Sequence, residues 1–288
     1  MATSFSEKQL NFARKKYYGK LYFTNINPDI FMVIVNKLLI FILNFKVSLV
    51  NLKRFIFSNL IKSYPKKSND SINVDLIAKD LDLKTYSNKL QKDKYVFIEN
   101  FLNNKTYNQI LASWPNINFF KLRNKIIKFY SYGFSSTNGE FLSSDIKYFN
   151  QNNKIRELYN FFNSSKFNNY INKMLDFENI NYNIYSIDAS MAGDNSYLIP
   201  HVDGIINGES KAYNFIYFVD GNDEDIEFSG GTSIYEDNDF QKLLCMPTTL
   251  KNSLLVYNST NKFYHDFKLT KLPKNFYRKT INFQFFSN

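Results

Sequence analysis

His201 and Asp203 stand two places apart in "YLIPHVDGIINGE", and His265 lies in "FYHDFKL"; these are the only two histidines in 288 residues. On an extended strand, positions i and i+2 point to the same face. A neighbouring strand carrying His265 would bring a second imidazole alongside. Two neutral imidazoles and one carboxylate occupy one face of an octahedron and leave three positions open. That is the donor set of a non-haem Fe(II) centre, with His201, Asp203 and His265 as metal ligands and catalytic residues. A structural zinc site wants a fourth protein ligand. The chain has no further histidine, and its single cysteine, Cys245, excludes an internal disulfide and any cysteine cluster.

If a 2-keto acid chelates such a metal, its distal carboxylate needs a buried cation. Arginine suits this because its planar fork binds a carboxylate through two parallel hydrogen bonds. Arg278 lies 13 residues beyond His265, at the start of "RKTINFQFF". Thr280 shares its strand face and can add a hydroxyl to the same carboxylate. Lys268 and Lys279 are the other cations within reach along the chain.

The elements that would position these residues follow from periodicity. Eight short runs, rich in β-branched and aromatic residues, fill the chain from about Asn183: "NYNIYSIDAS", "YLIP", "AYNFIYFVDG", "GGTSIYED", "KLLCMP", "NSLLVYN", "FYHDFKL" and "KTINFQFF". Residues 68–182 read mostly helical. "SINVDLIAKDL" predicts a helix with Ser71 or Asn73 as its N-cap. "KYVFIENFLNNKTYNQILASWP" predicts a short strand over Tyr95 to Ile98, then a helix ending before Pro115. "NNKIRELYNFFNSSKFNNYINKMLDF" predicts one or two amphipathic helices. The expected fold class is α+β: a double-stranded β-helix, or jelly roll, of about eight strands, with supporting helices on one face and a basic helical N-terminal segment. The expected domains are a basic segment over 1–67 and a catalytic domain over 68–288, with helical support over 68–182 and the jelly roll over 183–288.

These residues resemble the 2-oxoglutarate- and Fe(II)-dependent dioxygenases, in particular the prolyl-hydroxylase-like branch. The resemblance spans about 190 residues. It opens on "YVFIENFLNNKTYNQIL" as the first strand and helix. It continues through "PHVDG" as the His-x-Asp motif and "NFIYFVDG" to "FSGGTSIYED" as strand, loop and double glycine. It closes on "NSLLVYNSTNKFYHDFKL" around the distal histidine and "RKT" as the Arg-x-Ser/Thr signature. The resemblance implies His201, Asp203 and His265 as iron ligands and Arg278 with Thr280 as the carboxylate clamp. It implies Tyr185 and Tyr217 as barrel-lining aromatics near the cosubstrate. The implied cofactor set is Fe(II), with 2-oxoglutarate and dioxygen as cosubstrates and ascorbate as a further candidate. Arginine at 278, where many of the branch carry lysine, moves the chain away from the collagen-type enzymes. Gln284 stands where nucleic-acid demethylases carry a second arginine, which counts against that substrate. Asp203 argues against a halogenase, which needs that coordination position for halide.

The net charge of +10 is unevenly spread. Residues 1–67 hold twelve lysines and arginines against Glu7 and Asp29, and the remainder is neutral. Within that segment "FMVIVNKLLIFILNFKVSLVNLKRFIF" is too interrupted by Asn36, Lys37, Asn44 and Lys46 for a clean spanning helix. Its polar residues gather on one side and leave a broad apolar face. Residues 31–57 therefore predict either packing on the barrel or a second subunit, or peripheral attachment to a membrane surface, with nucleic acid the least favoured partner because basic charge alone does not specify it. The start of the chain has no secretory h-region, so a cytoplasmic protein, membrane-peripheral if 31–57 attaches, is expected. The acidic run "DGNDEDIEF" reads as a solvated hairpin loop, and Trp114 as core.

Two function classes follow. One is an oxygenase that decarboxylates 2-oxoglutarate and hydroxylates an unidentified peptidyl or small-molecule C–H bond. The other is a jelly-roll binding module without turnover, acting through the basic N-terminal segment at a membrane surface or partner. Retention of all five residues of triad and clamp favours the enzyme.

Overall fold

In the computed structural model the described residues are 45, 48, 49, 52, 53, 77, 78, 81–112, 114, 117, 121, 122, 141–145, 162, 164–194, 196–202, 212–236, 240, 242–259 and 263–287. Among these residues eleven strands form two sheets. They are β1 (Tyr95–Ile98), β2 (Lys121–Leu122), β3 (Phe141–Asp145), β4 (Tyr182–Ala192), β5 (Leu198–His201), β6 (Ala212–Asp220), β7 (Ser233–Tyr235), β8 (Leu243–Cys245), β9 (Ser253–Asn258), β10 (Tyr264–Phe267) and β11 (Arg278–Ser287). The larger sheet has the order β1-β9-β6-β11-β4-β3-β2, and the smaller β5-β10-β7-β8. All pairings are antiparallel.

Strands β4 to β11 are the eight expected runs, and they divide four to each sheet, which is the double-stranded β-helix. Three strands from the section expected to be helical lengthen the larger sheet at both edges. β1 falls on the predicted Tyr95–Ile98 and pairs with β9; β2 and β3, which the sequence reading missed, continue the sheet beyond β4.

Three helices are described: α1 (Leu83–Asp93), α2 (Asn104–Ala112) and α3 (Ser165–Met174). α2 and α3 lie inside the predicted helical stretches. α3 starts where the Ser164 side chain accepts a hydrogen bond from the Phe167 N–H. The helix predicted from Ser71 or Asn73 is corrected. Asp82 is the N-cap, accepting from the Lys84 and Thr85 N–H groups, and Ile77 instead bridges to Leu102 as extended chain. Residues 71–76 lie outside the described set.

The larger sheet is buried on both faces, which sorts its side chains by parity. From β11, Ile281, Phe283 and Phe285 face the helices; from β6, so do Tyr213, Phe215, Tyr217 and Val219. Phe162 and Phe167 insert among them, with Phe162 and Phe283 ring centroids 4.4 Å apart. Alternate residues, Asn214, Ile216 and Phe218 from β6 and Arg278, Thr280, Asn282 and Gln284 from β11, belong to the face turned toward the smaller sheet. Part of that interior is filled by Phe218, Ile234, Leu250, Leu255 and Tyr257. Trp114 packs against the main core, as expected.

Asn252 fastens the first helical unit to the barrel. Its backbone is left-handed (φ 47°), and its side chain accepts from the Leu102 N–H at 2.9 Å and the Tyr217 hydroxyl at 3.1 Å. Its amide donates to the Leu102 carbonyl at 2.8 Å. Glycine tolerates this φ, so Asn252→Gly removes the hydrogen bonds without adding strain. Both polar groups of the buried Leu102 backbone are then left unpaired. The expected loss is about 2–4 kcal/mol of unfolding free energy. Urea unfolding checks it, and a loss below about 1 kcal/mol would show that water replaces the side chain.

The acidic loop after β6 is exposed at Asp223, Glu224 and Asp225, as expected, but it is no hairpin, since it crosses from β6 of the larger sheet to β7 of the smaller, and it is pinned. Asp223 accepts from the Leu250 N–H at 2.7 Å and the Thr249 hydroxyl at 2.8 Å, and Asp225 caps the 3-10 turn Ile226–Phe228. Of the basic segment 1–67, only Phe45, Ser48, Leu49, Leu52 and Lys53 are described. All five are helical, and the apolar Phe45, Leu49 and Leu52 are exposed. The rest of the 31–57 expectation lies outside the described residues. No helix among the described residues is long and apolar enough to cross a membrane.

Candidate active site

Between the two sheets lies a cavity of about 370 Å³. The larger sheet contributes Asp188, Ser190, Asn214, Tyr257, Arg278, Asn282 and Gln284 to its wall, and the smaller sheet contributes Leu198, His265 and Phe267. A larger cleft, of about 710 Å³, opens elsewhere between α1, β1 and β8 and contains no histidine. Cys245 lines that cleft, and burial pushes its thiol up to about 11, so it is held protonated.

Arg278 is the cation among the described residues lining the central cavity. It is 4% exposed, and its guanidinium carbon lies 4.5 Å from the centre of the Phe267 ring. One terminal nitrogen donates to the Gly230 carbonyl, while the buried Nε has no hydrogen-bond partner among the described residues. Burial pulls the guanidinium down to about 9, which still leaves it charged at neutral pH. A buried cation with a donor to spare suits an anionic ligand of matching geometry. The other cations considered from sequence are engaged elsewhere: Lys279 pairs with Asp220 at 2.7 Å, and Lys268 pairs with Glu227. Thr280 is fully buried, and its hydroxyl lies 2.5 Å from that of Ser190. Ser190 is the member of the pair that lines the cavity.

The double glycine of "FSGGTS" explains how Arg278 is held. Gly230 has φ +90°, and a Cβ there would meet the Arg278 side chain at 3.0 Å. Gly231 is crowded by Ile226, whose Cγ2 would lie 2.6 Å from an added Cβ. Gly230→Ala is therefore expected to act on the arginine itself, through backbone strain and displacement of the guanidinium. If Arg278 holds the distal carboxylate of 2-oxoglutarate, the expected result is about a fivefold to twentyfold rise in the concentration needed for half-saturation, corresponding to roughly 1–2 kcal/mol. Isothermal titration with 2-oxoglutarate measures it; unchanged affinity would detach Gly230 from the clamp.

The histidines are brought together by register. His265 is the cross-strand partner of His201 in the β10–β5 pair and of Ile234 in the β10–β7 pair. Directly opposite positions on antiparallel strands share one face of the sheet. His265 is buried, lines the cavity, and stands with its ring centroid 5.1 Å from that of Tyr257. For His201 the backbone alone is described, and Asp203 lies outside the described residues. Among the described residues no group of three metal-binding side chains is found.

Of the two expected aromatics, Tyr217 falls elsewhere, and the Tyr185 side chain lies outside the described set. Tyr217 is on the helix-facing side of β6, packed near Phe101 and Phe162, with its hydroxyl on Asn252. The aromatic residues lining the cavity are Phe215, Tyr257, Phe267 and Phe283. Tyr185 sits at a bulge, where the pairing of β4 with β11 steps from Ser186 to Ile184. Asp188, Asn214, Asn282 and Gln284 are wall residues that sequence reasoning did not assign. The parity of β11 from Arg278 onward would have found two of them.

No protein-family model matches the chain, and no curated protein matches it. Solved structures do match in fold. The non-haem α-ketoglutarate-dependent carbocyclase SnoK of nogalamycin biosynthesis aligns at TM-score 0.52 and 11% identity, over 73% of this chain and 85% of that one. A 2OG-Fe(II) oxygenase family oxidoreductase from Burkholderia pseudomallei aligns at TM-score 0.50 and 11% identity, over 72% and 92%. A Trichoplax adhaerens prolyl hydroxylase aligns at TM-score 0.49 and 15% identity, over 71% and 88%. With eight strands from Tyr182 onward divided between two sheets, and a cavity between the sheets, the chain has the double-stranded β-helix fold of the 2-oxoglutarate- and Fe(II)-dependent oxygenases.

Proposed function

We propose that this chain is a non-haem Fe(II) dioxygenase that couples oxidative decarboxylation of 2-oxoglutarate to hydroxylation of a C–H bond. The observation that carries the reading is Arg278, a buried guanidinium whose Nε has no partner among the described residues, lining the same cavity as His265, whose cross-strand partner is His201. A dicarboxylate fits this arrangement, because one carboxylate can take up the arginine while the other end reaches the histidine positions.

His201, Asp203 and His265 would hold the metal, two imidazoles and one carboxylate being a fitting set for Fe(II) with open positions. When bound, the iron supplies the activation of dioxygen that organic side chains cannot provide. Arg278 binds and orients the distal carboxylate, with Phe267 stacked against the guanidinium plane. Phe267 and Leu198 keep that end of the cavity dry, which strengthens the charge pairing. In the balanced reaction one oxygen atom of O₂ enters succinate, the other enters the hydroxylated substrate, and carbon dioxide leaves. Fe(II)-dependent conversion of 2-oxoglutarate to succinate by the full chain tests the reading. Binding of Fe(II) and 2-oxoglutarate with no succinate under any condition would favour the binding module.

A further inference from the structure

We infer that the helix face carrying Phe45, Leu49 and Leu52 docks on the surface of an anionic lipid bilayer. The inference does not depend on the oxygenase reading and would hold equally for a binding module. Phe45, Ser48, Leu49, Leu52 and Lys53 are all helical. Positions i, i+4 and i+7 of a helix lie on one face, so the three apolar side chains form a single stripe. They are 57%, 50% and 53% exposed. The other exposed large apolar side chain among the described residues, Leu243, stands apart on β8. One exposed leucine is ordinary on a protein surface, whereas three apolar side chains on one helix face make a patch that marks an interaction site.

Charge names the partner. Residues 1–67 hold twelve lysines and arginines against Glu7 and Asp29, while the remainder of the chain is neutral. A second copy would set one such basic segment against another, and the neutral barrel offers it no opposite charge. Lys46 follows Phe45, and Lys53 and Arg54 follow Leu52, so cations are interleaved with the apolar positions. Such side chains lay their stems along apolar surface and keep their charged heads at the level of the lipid phosphates. A polynucleotide would satisfy the cations, but Leu49 and Leu52 have no ring on which a base could stack. The boundary between headgroups and acyl chains takes up both kinds of group at once.

The test is flotation of the full chain with vesicles, without iron or 2-oxoglutarate, so that the result is separate from the candidate active site. Vesicles of phosphatidylcholine alone are compared with vesicles containing about 30% phosphatidylserine, each at about 50 mM and about 500 mM salt. The partition coefficient is expected to be about tenfold or more higher on the anionic vesicles, and to fall by a similar factor at high salt. The triple variant Phe45→Gln, Leu49→Gln, Leu52→Gln keeps every charge and changes only exposed positions. It is expected to lose about tenfold or more of the anionic binding. The lipid comparison on the wild-type chain stands even if the variant does not fold. Equal binding to both kinds of vesicle, wild-type binding by the triple variant, or no vesicle binding at all would each overturn the inference. So would a wild-type dimer in sedimentation velocity that the triple variant dissociates while vesicles bind neither protein, which would make the face a contact between two copies. Binding of an oligonucleotide with none to vesicles would overturn it too, and would assign the basic segment to nucleic acid. Each of these outcomes leaves the oxygenase reading where 2-oxoglutarate turnover puts it.

Discussion

Replacing Arg278 by Ala is expected to raise the 2-oxoglutarate requirement by about tenfold to hundredfold or beyond, with Fe(II) affinity little changed. The size follows from the environment. The guanidinium is 4% exposed, stacked on Phe267 and tied to the Gly230 carbonyl, so it meets a carboxylate in a setting where water cannot compensate for its loss. A charge-assisted hydrogen bond contributes about 1.5–3 kcal/mol, and truncation also leaves the ligand carboxylate unpaired. Arg278→Lys should be intermediate, since it keeps the charge and loses both the fork and the stacking geometry. Thr280→Ala should act in the same direction and more weakly, through Ser190, with which its hydroxyl is paired. Parallel titrations of metal and 2-oxoglutarate check all three. Unchanged 2-oxoglutarate affinity in Arg278→Ala would take the distal carboxylate away from Arg278; Lys268 and Lys279 are committed to Glu227 and Asp220.

How far the sequence could be read depended on whether a signal was local. The eight jelly-roll strands were legible because each run is apolar, β-branched or aromatic and bounded by Gly, Asn, Asp or Pro. β2 and β3 were not: "KL" and "FLSSD" are short and partly polar, and they are strands because β4 offers β3 an edge and β3 in turn offers one to β2. The α1 boundary failed because Ser71, Asn73 and Asp82 are all credible caps, and the pairing of Ile77 with Leu102 is a tertiary fact. Within the site, i and i+2 parity correctly put Arg278 and Thr280 on one face. The same rule could not place Tyr217, because β6 is apolar on both faces and nothing in "AYNFIYFVDG" says which side meets the helices. The pairing of Gly230 with Arg278 joins residues 48 positions apart, which no local pattern carries.

Removal of either histidine should have a different signature from removal of the arginine. His265→Ala and His201→Ala are each expected to weaken Fe(II) binding by more than about a hundredfold, since loss of even an outer-shell partner of a metal ligand costs tenfold to a hundredfold. The 2-oxoglutarate affinity should fall with it, because a keto acid that chelates the metal loses that contact when the metal leaves. Arg278→Ala loses the cosubstrate and keeps the metal; the histidine variants lose both. This order of dependence cannot arise if the histidines are ordinary strand residues. His265 is buried between Tyr257 and the cavity, so its truncation also reduces packing. His201→Ala and an unfolding measurement on both variants separate that loss from the metal effect. Cobalt(II), a slower-oxidising stand-in for Fe(II) that favours the same nitrogen and oxygen donors, makes the titration practical in air. Metal binding at wild-type affinity in the His201→Ala, His265→Ala double variant would sink the triad. The face shared by positions 201 and 265 would then be a feature of sheet packing alone.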